Sequence, residues 1–209
     1  MSMPVLYDYW RSSASYRVRI ALNLLGIPYE TVPVDLLEKE QKAPQHLARN
    51  PQGLVPVLEI DGLRLTQSLA IIEYQDETRP GSGLLPPDPA ERARVRALAQ
   101  VIAADIHPVC NLGPVGHVMA LTKGGDEVRV AWMQKFIGEG LAAFETLLDS
   151  PATGLFCHGD RPTMADLCLV AQLYNAHRWN ADVAALQRAN AIAQRCAKLP
   201  AFEAAAPQS

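Results

Sequence analysis

The sequence predicts an α/β domain followed by an all-helical one, and three observations carry that prediction. Short β-rich runs alternate with helical runs through residues 1–78. The stretch 79–89, RPGSGLLPPDP, then packs four prolines and two glycines into a density that no helix survives. Beyond it, from 90 to 209, apolar residues recur at helical spacing.

Pro4 to Tyr9 reads as a first strand, followed by the loop Trp10-Arg11-Ser12-Ser13. Val18, Ala21, Leu22 and Leu25 then fall at i, i+3, i+4 and i+7, the apolar stripe of a helix. Ser12 or Ser13 suits its N-cap and Gly26 its stop. Tyr29 to Val34 is a second β-rich run, so the order strand–helix–strand implies a parallel pair. Glu38 to Arg49 is polar, a helix weakened by Pro44.

Asn50 to Tyr74 is the stretch that the rest serves. Val55 to Ile60 reads as a strand, Asp61-Gly62 as the turn pair of a tight hairpin, and Leu63 to Thr66 as the returning strand. Gln67-Ser68 opens a further helix. Pro56 is anomalous inside a buried-looking strand, because proline cannot donate to a ladder. A cis peptide there turns the N–H and C=O of Val55 outward, where an extended peptide can pair with them. Ser68 and the free amides of a helix N-terminus suit a carboxylate. Together these features describe a site for a small acidic peptide. The order βαβ–α–ββα is that of the thioredoxin-like fold.

In the helical part, residues 90 to about 119 form a helix bent at Pro108, Lys123-Gly124-Gly125 breaks the chain, and Asp126 to Leu148 is the next helix. Thr163-Met164-Ala165-Asp166 has capping-box spacing ahead of the apolar run LCLVAQLY, a structural rather than catalytic reading of both residues.

Composition excludes several classes. The chain is 49% hydrophobic and 20% charged with net charge −3, which offers no basic face for nucleic acid. It has no 18-residue apolar run for a membrane span. The opening MSMPVLYDYWRSS lacks a secretory pattern. Cys110, Cys157, Cys168 and Cys196 lie far apart with no Cys-x-x-Cys pair, which reads as reduced thiols and predicts neither a metal site nor a redox dithiol. A cytoplasmic location is expected.

A thioredoxin-like domain, a proline-rich linker and a helical domain with a buried Thr-x-x-Asp cap resemble the cytosolic glutathione transferases over nearly the whole chain. SSASYRVRIAL from Ser12 to Leu22 is similar to the zeta-class signature, as are QSLAIIEY and TMADLCLV. The resemblance implies the glutathione transferase fold, glutathione as cofactor, a homodimer and a small dianionic substrate. It also implies glutathione-dependent cis–trans isomerisation of maleylacetoacetate to fumarylacetoacetate, in aromatic amino acid or aromatic acid breakdown. In such a reaction a thiolate adds to the cis double bond, the bond rotates, and elimination returns the trans alkene. Maleylpyruvate is an alternative substrate: His107 with Asn111 resembles those enzymes, whereas Leu112-Gly113 is nearer the maleylacetoacetate pattern.

The residue chemistry agrees with the resemblance. A cysteine-like thiol has a pKa of about 8.5, which a helix N-terminus and a hydroxyl donor lower. By resemblance Ser12 bonds the thiolate, with Ser13 and the Ala14 amide nearby. Val55, beside Pro56, pairs with the cysteinyl backbone. Gln67 and Ser68 hold the γ-glutamyl end, and Gln41 the glycyl end, with Lys39, Lys42 and Gln45 as alternatives. Arg11 and Arg178 match arginines that bind the two carboxylates, a task suited to bidentate guanidinium. His107 and Asn111, four apart on one helix face, would contact glutathione or substrate. Arg19 suits a structural charge. Two positions depart from the family pattern: Ala14 replaces a usual cysteine, and Leu54 replaces a frequent polar residue. A general transferase or peroxidase, a non-catalytic binding protein and a thiol–disulfide oxidoreductase are the competing readings. The paired arginines, the retained serines and the missing cysteine weigh against them in turn.

Overall fold

The computed structural model describes residues 3–207; residues 1–2 and 208–209, at the outer ends of the two expected domains, lie outside the described residues. The chain divides into two compact units, one reaching to Leu84 and resuming at Lys198, the other Leu85–Ala197.

The first unit runs β1 Val5–Asp8, α1 Ser13–Leu24, β2 Glu30–Pro33, a 3-10 turn Glu40–Lys42, α2 Pro44–Leu47, β3 Val57–Ile60, β4 Leu63–Thr66 and α3 Ser68–Thr78. The polar stretch predicted as one weak helix is thus a 3-10 turn and a single α-turn, split where Pro44 forbids continuous pairing. The sheet order is β2-β1-β3-β4, with β1 parallel to β2 and the other pairs antiparallel. Leu6 on β1 lies opposite Leu58 on β3, and the two pack with Val18 and Leu22 of α1 and Ile71 of α3 into a core. Asp61 and Gly62 both take positive φ, 55° and 79°, the primed turn that matches strand twist. Helix α1 stops in a Schellman motif at Gly26 (φ 62°), with Ile27 N–H on Leu22 O at 2.9 Å and Gly26 N–H on Asn23 O at 3.2 Å.

Two further features differ from the sequence reading. Strand β3 begins at Val57, not Val55, so Val55 and Pro56 lie just outside the ladder, where the missing proline N–H costs nothing. The end of the chain, expected within a helical domain 90–209, returns to the first unit as α10 Pro200–Ala205. There Arg19 Nε donates to Ala205 O at 3.0 Å and Asn23 Nδ2 to Ala201 O at 3.2 Å. The same guanidinium meets buried Asp8 at 2.7 Å and Trp10 O at 3.0 Å, so Arg19 is a structural charge with every direction satisfied.

The second unit contains α4 Pro89–Gln100, a π-helical segment Val101–Ile106, α5 His107–Val109, α6 Leu112–Thr122, α7 Asp126–Leu147, α8 Met164–Arg178 and α9 Gln187–Cys196. The single bent helix expected over 90–119 is in fact broken. A proline ring clashes with the carbonyl four residues back, and the wider π turn ahead of Pro108 relieves that clash. At Gly140, α7 approaches this segment so closely that any side chain would strike Ile106. Helix α8 starts at the expected capping box. Fully buried Asp166 accepts from Thr163 N–H at 2.7 Å, the Thr163 hydroxyl at 2.8 Å and Cys157 N–H at 2.8 Å. Burial raises its carboxyl pKa, and these donors oppose that rise.

Candidate active site

The site of the first unit is built where α1, the loop before β3 and α3 begin. Ser12 is the N-cap of α1, with extended backbone (φ −67°, ψ 119°). Its hydroxyl oxygen accepts from Ser15 N–H at 3.2 Å, which leaves its own proton free to donate. The amides of Ser13 and Ala14 occupy the first turn, where an α-helix offers them no internal partner. A half-buried hydroxyl donor thus sits beside two helix N-terminal amides, the arrangement that stabilises a thiolate. Ser13 itself is buried at the first helical position.

Arg11 precedes this cap and is fixed by its neighbours. Its Nη2 donates to the Tyr9 hydroxyl at 3.3 Å and its guanidinium carbon lies 4.6 Å from the Trp10 ring centroid. Its Nε is buried and has no hydrogen-bond partner among the described residues.

Val55–Pro56 is a cis peptide. Neither the N–H nor the C=O of half-buried Val55 finds a partner among the described residues, which leaves a peptide edge open for pairing. Gln67, the N-cap of α3, has φ 70° and ψ 112°, a sparsely populated conformation for a non-glycine residue. Its Nε2 donates to Gln52 Oε1 at 2.9 Å. Lys42 Nζ donates to Gln52 O at 3.1 Å, and a side chain at Gly53 would strike Lys42 Nζ and Gln41 O. Gln41, Lys42, Gln52 and Gln67 are therefore one contiguous polar group. The Gln41 amide nitrogen reaches Leu36 O at 3.5 Å, while its Oε1 is buried without a partner among the described residues. Lys39 and Gln45 are exposed.

The structure thus brings Ser12, Ser13, Ala14 and Arg11 together at one helix start, and Gln41, Gln67 and Ser68 around the loop carrying Val55 and Pro56. The remaining sequence candidates lie in the second unit. Arg178 ends α8, exposed, with its guanidinium carbon 5.2 Å from the Trp179 ring centroid. His107 and Asn111 do not share a helix face: α5 ends at Val109, and Asn111 is the extended N-cap of α6 (φ −78°, ψ 156°). The four-residue spacing spans a break at Cys110–Asn111, where the chain leaves the helical conformation.

Sequence reasoning missed Tyr9 and Trp10 as the support of Arg11, Arg17 behind Ser68, and His46 and Asn50 beneath the Val55 loop. Adjacency to Arg11 was a usable signal for the aromatic pair. The others act through contacts that follow no sequence period.

The fold defines a thioredoxin-like domain, and residues 4–77 match the family model described as "Glutathione S-transferase, N-terminal domain". The chain belongs to the glutathione transferase family, in its zeta class. Among its relatives, the maleylacetoacetate isomerase of Rhizobium meliloti (strain 1021) is 70% identical over 203 residues, covering 97% of this chain and 95% of that one. A holo structure of maleylpyruvate isomerase, described as a bacterial zeta-class glutathione S-transferase, superposes with a TM-score of 0.94 at 41% identity, covering 97% and 96% of the two chains. A maleylacetoacetate isomerase from Methylobacterium extorquens AM1, solved with bound malonate and glutathione, gives a TM-score of 0.94 at 42% identity with the same coverage.

Proposed function

We propose that this chain is a glutathione-dependent cis–trans isomerase of maleyl-type dianions, converting maleylacetoacetate to fumarylacetoacetate in aromatic amino acid or aromatic acid breakdown. One observation carries the reading: Arg11, immediately before the Ser12 cap, presents a buried Nε with no partner among the described residues. A buried guanidinium nitrogen needs an acceptor, and a substrate carboxylate is one.

The residues present fit glutathione. When bound, it supplies the sulfur nucleophile that adds to the double bond and is eliminated after rotation. The chain's part is to bind, orient and charge-balance. Ser12 donates its free hydroxyl proton to the sulfur, and the Ser13 and Ala14 amides favour its anionic form. Val55, next to Pro56, pairs with the cysteinyl backbone through its N–H and C=O. Gln67 and Ser68 take the γ-glutamyl carboxylate and amine, and Gln41 with Lys42 the glycyl end. Arg11 takes a carboxylate of the substrate, and Arg178, His107 and Asn111 are further candidates by family resemblance alone. The protein acts as a cytoplasmic homodimer. No helix among the described residues is long and apolar enough to cross a membrane.

The test is the loss of maleylacetoacetate or maleylpyruvate absorbance with and without glutathione, in wild type and Ser12→Ala. Glutathione-dependent conversion that Ser12→Ala abolishes supports the reading, and the faster substrate identifies the pathway. Conjugation of a chlorinated aromatic with neither isomerisation would replace it with a general transferase.

A further inference from the structure

His46 and Asn50 are both 3% exposed, lie in and just after the short helix α2, and touch none of the groups assigned above to ligand. Both converge on one atom. His46 Nε2 lies 2.9 Å from Leu54 O, and Asn50 Nδ2 donates to the same oxygen at 2.9 Å. Because the acceptor is a carbonyl, the histidine nitrogen facing it carries the hydrogen. The other ring nitrogen, Nδ1, is buried without a partner among the described residues. A leucine there would avoid that cost, so the polar ring is retained for the bond made by Nε2.

Leu54 C=O and Val55 N–H belong to one planar peptide unit and point in opposite directions across it. Two buried donors that pin the oxygen inward therefore aim the Val55 N–H outward. Asn50 extends the same control to the neighbouring group: its Oδ1 accepts Gln52 N–H at 3.1 Å, and Gln52 Oε1 in turn receives the Gln67 side chain at 2.9 Å. We infer that His46 and Asn50 are positioning residues that clamp the Leu54 carbonyl, and so fix the open Val55 peptide edge on which glutathione docks. This rests on the glutathione-binding reading above. Neither residue touches the ligand. Their effect is preorganisation, which spares the cost of ordering the loop on binding.

The experiment is calorimetric titration of glutathione into wild type, His46→Leu, His46→Gln and Asn50→Asp, with circular dichroism and thermal melts on each. His46→Gln retains a donor near the Nε2 position. Asn50→Asp retains the acceptor for Gln52 N–H while replacing the donor to Leu54 O. His46→Leu and Asn50→Asp should raise the Kd for glutathione about tenfold, the value of one well-placed hydrogen bond. His46→Gln should recover most of that, and KM for the maleyl substrate at saturating glutathione should stay unchanged. A purely structural role predicts lower melting temperatures with Kd intact. Folded His46→Leu and Asn50→Asp binding with wild-type Kd would overturn the inference, as would His46→Gln binding no better than His46→Leu. Should His46→Leu not fold, Asn50→Asp decides alone. Wild type that binds no glutathione would instead remove the functional reading itself.

Discussion

Arg17, buried in the middle of α1, donates from Nη1 to the Ser68 hydroxyl at 3.2 Å. The bond ties the start of α3 to the helix whose own start carries Ser12, so the two helix N-termini of the site cannot shift independently. Hydrogen bonds to charged groups contribute about 1.5–3 kcal/mol. Ser68→Ala should accordingly lower stability in urea denaturation by about 1–2 kcal/mol and also weaken glutathione binding. An unchanged denaturation midpoint would show that the bond contributes nothing to the fold.

Arg11 depends on Tyr9 and Trp10 for its orientation. A cation–π contact at a partly exposed site is worth about 0.5–1 kcal/mol, so Trp10→Leu should raise KM for a maleyl-type dianion about 2–5-fold. Glutathione affinity and conjugation of an uncharged electrophile should be untouched, because neither uses Arg11. Equal loss with charged and uncharged substrates would show instead that Trp10 serves the glutathione side.

Gln67 carries backbone strain at the start of α3. A non-glycine residue in such a region costs about 1–3 kcal/mol, against about 0.5–1 kcal/mol of chain entropy for a glycine. Gln67→Gly should therefore stabilise the fold by about 0.5–1 kcal/mol while weakening glutathione binding. Denaturant midpoints and calorimetry, read side by side, test whether stability and binding move in opposite directions.

No cysteine of this chain is poised to react. Cys157, Cys168 and Cys196 are fully buried, and burial pushes Cys157 and Cys196 above the ordinary thiol value. Half-buried Cys110 is raised to about 11 by the same cause. Because the thiolate is the nucleophile, alkylation of Cys110 should be slow at neutral pH and accelerate about tenfold per pH unit until pH approaches that raised value. Activity should survive iodoacetamide at pH 7, whereas Ala14→Cys should confer sensitivity, since a thiol in the first turn of α1 gains the helix N-terminus. Intact mass and residual rate follow both. Inactivation of wild type at pH 7 would disprove the assignment.

The legible parts of this molecule were those written in local chemistry. The Asp61-Gly62 turn, the Ser12 cap, the Gly26 stop and the Thr163–Asp166 box each need specific side chains within a few residues, and each stands where the pattern placed it. Pro56 signalled an unusual backbone, although the strand starts after it rather than around it. What stayed hidden depends on contacts without a period. His46 reaches a carbonyl eight residues away across an irregular loop, a relationship that no spacing rule encodes. His107 and Asn111 misled because i, i+4 reasoning assumes an unbroken helix, and this one ends at Cys110.

Helix α10 imposes an order on the birth of the protein. Most of the first unit is made before the second, with its sheet, its hairpin and the starts of α1 and α3 already synthesised. Yet Ala201 and Ala205, whose carbonyls receive Asn23 and Arg19, are made only after the entire second unit. Until then the buried Arg19–Asp8 pair lacks its third partner, and the flank of α1 that packs on α10 remains bare. The first unit is thus completed only after the second has been made.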